Sequence, residues 1–374
     1  MTPILPGATL GMLGGGQLGR YALIAARTMG YRTAVLDPDP QAPAKAVADV
    51  RFDAEFGDEV ALGALASVAD VVTIEFENPP AAALEFLAAR TRVAPSPGAV
   101  AIAQDRIREK QFLVDSGFPV AAYTVVDAAD ADPQFTYPAI LKTARLGYDG
   151  KGQRTASDGS AMRAAWRLLG GVPCVLEQAL ALETEVSVVV ARTACGDVAA
   201  FPVAENTHVD GILDLTVVPA AVSPRVADRA VGLATAVADA LDYVGVLAVE
   251  MFVLEGDVIV NELAPRPHNS GHWTLDVAQT SQFAQQVRAV CGLGLGDTTM
   301  TRPAAAMVNL LGDLWSAHLP DWRPALERPE TALHLYGKSA PRPGRKMGHL
   351  TTWAPSRQEA ITSALRARSL LTTD

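Results

Sequence analysis

The chain has no run of about eighteen apolar residues, which excludes a candidate membrane-spanning helix. It has only three cysteines, Cys174, Cys195 and Cys291, set far apart and without metal-ligand spacing. A cysteine metal site is therefore excluded, and reduced thiols in a cytoplasmic protein are expected. Met1 to Gly7 show neither the basic start nor the apolar stretch of a signal peptide. Positive charge is in short supply too. A formal net charge of −10 argues against general attraction to nucleic acid or anionic membrane, so no partner of either kind is expected. There is no internal repeat and no low-complexity linker. What remains is a chain of 374 residues, 49% hydrophobic, which is too long for one ordinary core and suits two or three packed domains. An acidic protein that holds a nucleotide must gather its cations locally, so the positions of Lys and Arg carry much of the argument.

Short apolar runs alternate with helical patterns at the start of the chain, the signature of parallel βαβ structure. Thr9 to Leu13 reads as a strand, Gln17 to Met29 as a helix stopped by Gly30, Thr33 to Leu36 as a strand, and Val71 to Ile74 as a strand stopped by Glu75. A helix from about Asp105 to Ser116 closes at Gly117. β-branched segments follow: Pro138 to Lys142, Cys174 to Glu177, Glu185 to Ala191 and Val244 to Leu254. Beyond Arg302 prolines accumulate, with a basic hairpin from Lys338 to Lys346. Domains are expected over 1–98, 99–300 (with a small lid at about 120–180) and 301–374.

Five segments carry chemistry. Gly14-Gly15-Gly16-Gln17-Leu18-Gly19 fits G-x-G-x-x-G between a strand and a helix, and Asp37 ends the next strand. Alone, this pattern suits either a dinucleotide site or a plain tight turn. The loop Gly147-Tyr148-Asp149-Gly150-Lys151-Gly152-Gln153 follows a strand ending in Lys142, with Arg145 between. Its backbone amides and ammonium groups could cover phosphates, although it is not a P-loop. Val246 to Leu254 and Val258 to Leu263 read as a hairpin around a three-residue loop, Glu255 to Asp257. Symmetric pairing about Gly256 sets Glu250 opposite Glu262, and two facing carboxylates call for a cation such as Mg²⁺. The stretch after Glu262 packs Arg266, His268, Asn269, Ser270 and His272 together, an unusual density for a structural loop. Lys338, Arg342, Arg345 and Lys346 form a basic hairpin that could hold a phosphate or simply face solvent.

In this order, the segments resemble the ATP-grasp ligases, and within them the N5-carboxyaminoimidazole ribonucleotide synthetases of purine biosynthesis. The resemblance runs from about Leu10 to Trp353. It implies an α/β and α+β protein of three domains: a Rossmann-like pre-ATP-grasp domain, an ATP-grasp domain and a small C-terminal β-rich domain. The implied reaction joins bicarbonate to 5-aminoimidazole ribonucleotide with ATP and Mg²⁺ in a homodimer. On the resemblance, Arg106, Lys142 and the loop Gly147 to Gln153 contact ATP phosphates. Glu177, Gln178, Ala179 and Leu180 supply the backbone that reads adenine, Glu185 the ribose ligand, and His208 a further nucleotide contact. Glu250 and Glu262 would hold the metal. Asn261 belongs to the nucleotide set, but strand alternation turns its side chain away from that of Glu262, leaving it a backbone contact. The ribonucleotide would lie near Gln17, Leu18, Glu75, Arg266, His268, Asn269 and Ser270, with its phosphate on Lys338, Arg345 and Lys346. Asp149, Lys151 and Arg266 are the expected catalytic groups. Ala264 stands where many ATP-grasp enzymes have an asparagine metal ligand. The formate-dependent glycinamide ribonucleotide transformylases share the architecture, whereas Tyr148, Asp149 and Asn269 to Trp273 favour the bicarbonate user. An NAD-dependent dehydrogenase built on Gly14 to Gly19 is the alternative of a different class.

Overall fold

The computed structural model describes residues 2–128, 134–147, 149–316 and 319–371. Among them no helix is long and apolar enough to cross a membrane. The first unit is a five-stranded parallel sheet in the order Val50–Asp53, Arg32–Asp37, Thr9–Leu13, Val71–Ile74, Arg92–Val93. Every residue of Thr9–Leu13 and Val71–Ile74 is buried, as expected of parallel strands covered on both faces. One face packs under the helix Gln17–Thr28, the other under Glu59–Val68 and Ala81–Ala88.

The second unit is a four-stranded antiparallel sheet, ordered Tyr123–Val126, Cys174–Gln178, Ala139–Thr143, Gln153–Ala156. It packs on the helix Gly159–Leu168 through Leu141, Met162, Cys174 and Leu176. The third is a nine-stranded antiparallel sheet. It runs from Asp257–Ala264 through Gly245–Leu254, Thr184–Arg192, Ala204–Val209 and Ile212–Val218 to Ala304–Leu311, Lys346–Ala354 and Thr331–Leu335, with Val198–Ala200 beside Thr184–Arg192. The C-terminal strands are thus hydrogen-bonded into the same sheet as the carboxylate hairpin, joined where Leu215 pairs with Val308. The helix Pro224–Ala240 covers one part of this sheet and Arg357–Ser369 another.

The carboxylate hairpin differs from its expected register. The turn is two residues, Glu255 and Gly256, both at positive φ (47° and 73°), the conformation that tight hairpins favour. Leu254 therefore pairs with Asp257, and Met251 with Val260, one step off symmetry about Gly256. A bulge then skips Asn261 and brings Glu250 opposite Glu262 after all. The facing pair is as expected, but the bulge rather than the turn creates it.

The loop after the hairpin is anchored by Trp273, which is buried with its ring edge-on to Phe201 at 6.1 Å between centroids. Trp273→Ala should lower unfolding free energy by about 3–5 kcal/mol, the usual range for deleting a buried aromatic, measured by denaturant titration.

Candidate active site

Asp105 caps the helix Arg106–Asp115 by accepting from the amides of Ile107 and Arg108. The cap fixes the first turn, and three of its side chains grip the strand that carries Glu262. Arg106 pairs with Glu262 at 2.8 Å. Glu109 accepts from the Leu263 amide at 2.6 Å, and Lys110 Nζ donates to the Asn261 carbonyl at 3.0 Å. Burial, then the Glu262 charge, pushes the Glu109 carboxyl well above its usual range. Lys142 donates to Glu177 at 2.9 Å and reaches Asn261 Oδ1 at 3.4 Å, while Lys110 lies 3.5 Å from the other Glu177 oxygen. Burial alone would raise the Glu177 carboxyl; the two lysines hold it low. Asn261 thus turns its side-chain oxygen toward Lys142, so the expectation of a backbone contact alone fails. The bulge breaks the alternation on which it rested. The two Glu177 oxygens each face a lysine. The Ala179 amide donates to Pro138 at 3.0 Å, and the Leu180 amide has no backbone acceptor among the described residues.

The facing carboxylates each have a nitrogen donor beside them already. Glu250 meets His268 Nε2 at 3.0 Å and Glu262 meets Arg106. Burial opposes ionisation of Glu250, yet His268 and His208 hold its carboxyl well below the usual range. Repulsion between the two therefore does not by itself demand a metal. Glu185 pairs with His208 at 2.7 Å. Arg106, Gly147, Glu262 and Arg266 line one cleft together with Glu77 and Glu109. Arg266 is oriented there by Glu77 at 2.6 Å. Asn269 is buried, with neither side-chain atom partnered among the described residues, the condition that a polar ligand relieves. Gln282 clamps this loop by bonding both the amide and the carbonyl of His268, at 2.8 and 2.7 Å.

The glycine-rich turn is filled by the protein itself. Glu75 accepts from the amides of Gly16 (2.6 Å) and Gly19 (2.9 Å), and Asp37 from that of Gly15 (2.7 Å). A dinucleotide pyrophosphate needs those amides, so the dehydrogenase reading loses its binding site. The same bonds engage both Glu75 oxygens, and burial raises its carboxyl pKa. Leu18 lies in the apolar cluster beneath the helix, so its side chain is packing and not a ligand contact. Gln17 is half-buried at the helix start.

Tyr148 lies outside the described residues. The rest of its loop rests on the turn Asp210-Gly211, where a side chain on Gly150 would come within 2.8 Å of the Asp210 carbonyl. Asp149 meets Lys346 at 2.6 Å and so joins the loop to the basic hairpin. Lys151 and Gln153 are exposed. In the hairpin, Lys338 donates to the Lys346 carbonyl and Arg345 to that of Ala340, each at 2.8 Å. Burial, helped by Arg345, lowers the Lys338 ammonium pKa to about 8. Beneath it the imidazoles of His334, His349 and His272 stack at 4.6 and 4.7 Å. Asp276, His334 and His349 bring ligand atoms within 4.8 Å of one another. Rings stacked at 16° cannot both present in-plane lone pairs to one ion between them, so this cluster is packing.

The sequence matches the ribonucleotide synthetase preATP-grasp domain over residues 7–104, the ATP-grasp domain over 111–283 and the phosphoribosylaminoimidazole carboxylase C-terminal domain over 305–363. It is 44% identical to the N5-carboxyaminoimidazole ribonucleotide synthase of Bacillus subtilis over 353 residues, 93% of this chain and 92% of that protein. The chain belongs to the N5-carboxyaminoimidazole ribonucleotide synthetase family. A solved N5-carboxyaminoimidazole ribonucleotide synthetase in complex with ADP superposes with a TM-score of 0.92 at 40% identity, covering 98% of each chain. The Aspergillus clavatus synthase in complex with ADP and 5-aminoimidazole ribonucleotide gives 0.87 at 30% identity, over 97% of this chain and 98% of that one.

Sequence reading missed Glu77, Glu109, Lys110 and Gln282. Glu109 and Lys110 left one faint signal, adjacent charges on the buried side of a capped helix; the other two left none. Because Gly150 sits at φ 74° against Asp210, Gly150→Ala should lift the loop off that turn. Limited proteolysis should then cut within 146–153 several-fold faster than in the parent.

Proposed function

We infer that the protein carboxylates 5-aminoimidazole ribonucleotide with bicarbonate at the expense of ATP, giving N5-carboxyaminoimidazole ribonucleotide, ADP and phosphate in purine biosynthesis. Family membership across almost the whole chain carries this reading. A bicarbonate oxygen attacks the γ-phosphorus of ATP and the bond to ADP breaks, giving carboxyphosphate. The exocyclic amine then captures its carboxyl carbon, or CO₂ released from it, and phosphate leaves. No covalent enzyme intermediate is required.

The roles of individual residues are part of the proposal. Arg106, Lys142 and the amides of the loop from Gly147 to Gln153 hold the ATP phosphates, with charge developing on them in the transfer. The Leu180 amide, lacking a backbone acceptor, donates to adenine, and Glu185 with His208 borders the ribose. Mg²⁺ at Glu250 and Glu262 is supported by the two carboxylates on neighbouring strands, hard oxygen donors suited to that ion. When bound it neutralises phosphate charge. Arg266, set by Glu77, and Asn269, with its unpaired amide, border bicarbonate and the amine. Asp149 and Lys151 close over them with the loop, whose seat on Asp210-Gly211 excludes water from labile intermediates. His268, Ser270, Lys338, Arg345 and Lys346 complete the ribonucleotide site. Domain limits at 98 and 300, a homodimer and a cytoplasmic location also belong to the proposal. The free thiols Cys174, Cys195 and Cys291 support the location.

ADP release should require bicarbonate and 5-aminoimidazole ribonucleotide together. Turnover with formate and glycinamide ribonucleotide instead would make it a transformylase, and a thermal shift with NADH alone would restore the dehydrogenase. Glu262→Gln should lower magnesium-dependent turnover by about 100-fold or more. It should also reduce stability, because the largely buried Arg106 loses its partly exposed anionic partner; loss of activity with full stability would refute the Arg106 pairing.

Lys338 sets an alkaline limit. Below about pH 8 its ammonium is charged and can hold a phosphate; above, it is neutral. The kcat/KM for ribonucleotide, which reports the free enzyme, should fall above about pH 8 while that for ATP does not. Lys338→Arg should remove the falling limb.

A further inference from the structure

Four polar side chains lie buried in a line, Thr216, Asn206, Ser187 and Ser270, of which the reaction calls on Ser270 alone. The first three stand on neighbouring strands of the large sheet, Ile212–Val218, Ala204–Val209 and Thr184–Arg192. Thr216 Oγ1 donates to Asn206 Oδ1 at 2.9 Å, and Asn206 Nδ2 donates to Ser187 Oγ at 2.9 Å. Ser187 Oγ lies 2.8 Å from Ser270 Oγ, which lies 2.9 Å from His268 Nδ1. The other ring nitrogen of His268 meets Glu250 at 3.0 Å.

This line has a direction. The amide nitrogen of Asn206 can only donate, so Ser187 accepts there; its own proton goes to Ser270, because the one hydroxyl proton of Ser270 is spent on His268 Nδ1. Ser270 gives its proton to His268 Nδ1, toward which the Ser270 amide also points at 3.4 Å. Nδ1 is therefore an acceptor, and the ring proton sits on Nε2, facing the Glu250 carboxylate. Turning Asn206 over would reverse every hydroxyl and set the Nε2 lone pair against that carboxylate.

We propose that Ser187 and Asn206 are positioning residues that fix His268 as its Nε2–H tautomer. His268 in turn holds one oxygen of Glu250 and leaves the other turned toward the nucleotide. The functional part rests on the role proposed above for Glu250; the tautomer does not, and the experiment reads the two separately.

In ligand-free protein with ¹⁵N-labelled histidine at pH 8, His268, identified by loss of its signals in His268→Gln, should show a bare Nδ1 and a protonated Nε2. An Nδ1–H tautomer or a doubly protonated ring overturns the proposal. Asn206→Asp replaces the donor with an acceptor at nearly constant shape, so Nδ1 should become protonated; an unchanged spectrum in that variant also overturns it. Ser187→Ala cuts the line without adding charge. It should raise the Mg²⁺ concentration needed for half-maximal ATP turnover by about 10–100-fold, the usual effect of removing a group that orients a metal ligand. The KM for ribonucleotide should change far less, and an equal rise in both means that Ser187 is structural only. If the tautomer is as proposed and the Mg²⁺ dependence is not altered, the Glu250 assignment fails, not the hydrogen-bond line.

Discussion

A buried carboxylate, Glu177, flanked by two lysines ties the molecule together. Lys110 comes from the helix that leaves the first unit, Lys142 and Glu177 from the four-stranded sheet, and both lysines reach Asn261 on the carboxylate hairpin. An ionised group in such surroundings is tolerated only if its partners stay in place. Three separately folded pieces are thereby held at one relative position, and the cleft between them takes its shape from that requirement. The Asn261 bulge is part of the same arrangement: it opens the ladder, frees a carbonyl for Lys110, and carries Glu262 to Arg106.

Much of this was legible in the sequence where local rules govern. The helix stops at Gly30 and Gly117, and both glycines have positive φ. The parallel strands were evident from their continuous apolar runs, and the hairpin from alternation on either side of Glu255 to Asp257. Register was less legible, because the turn choice and the bulge shift it in opposite senses, and only long-range contacts from Glu109 and Lys110 explain the second shift. The glycine-rich turn shows the opposite difficulty. Its pattern was plain, but whether its amides await a ligand or already have one depends on Glu75, 59 residues from Gly16.

The basic hairpin was visible as a cluster of charge, and its geometry is more specific than charge alone suggests. Lys338 and Arg345 tie their own loop together through backbone carbonyls, and Lys346 reaches across to Asp149. The stacked histidines below show the limit of counting ligand-type residues. His272, His334 and His349 are close enough to suggest a metal, and only the angle between the rings excludes it.

The unbroken ladder from Asp257–Ala264 to Thr331–Leu335 also bears on how the chain comes apart. Strands that share one sheet share their amide protection, so the conventional boundary before the C-terminal segment does not mark a weak seam. The four-stranded sheet has its own ladder and its own small core. The parallel sheet of the first unit likewise has its own ladder, so partial opening is expected to divide among the three sheets, with the last seventy or so residues exchanging their hydrogens along with the large sheet to which they are stitched.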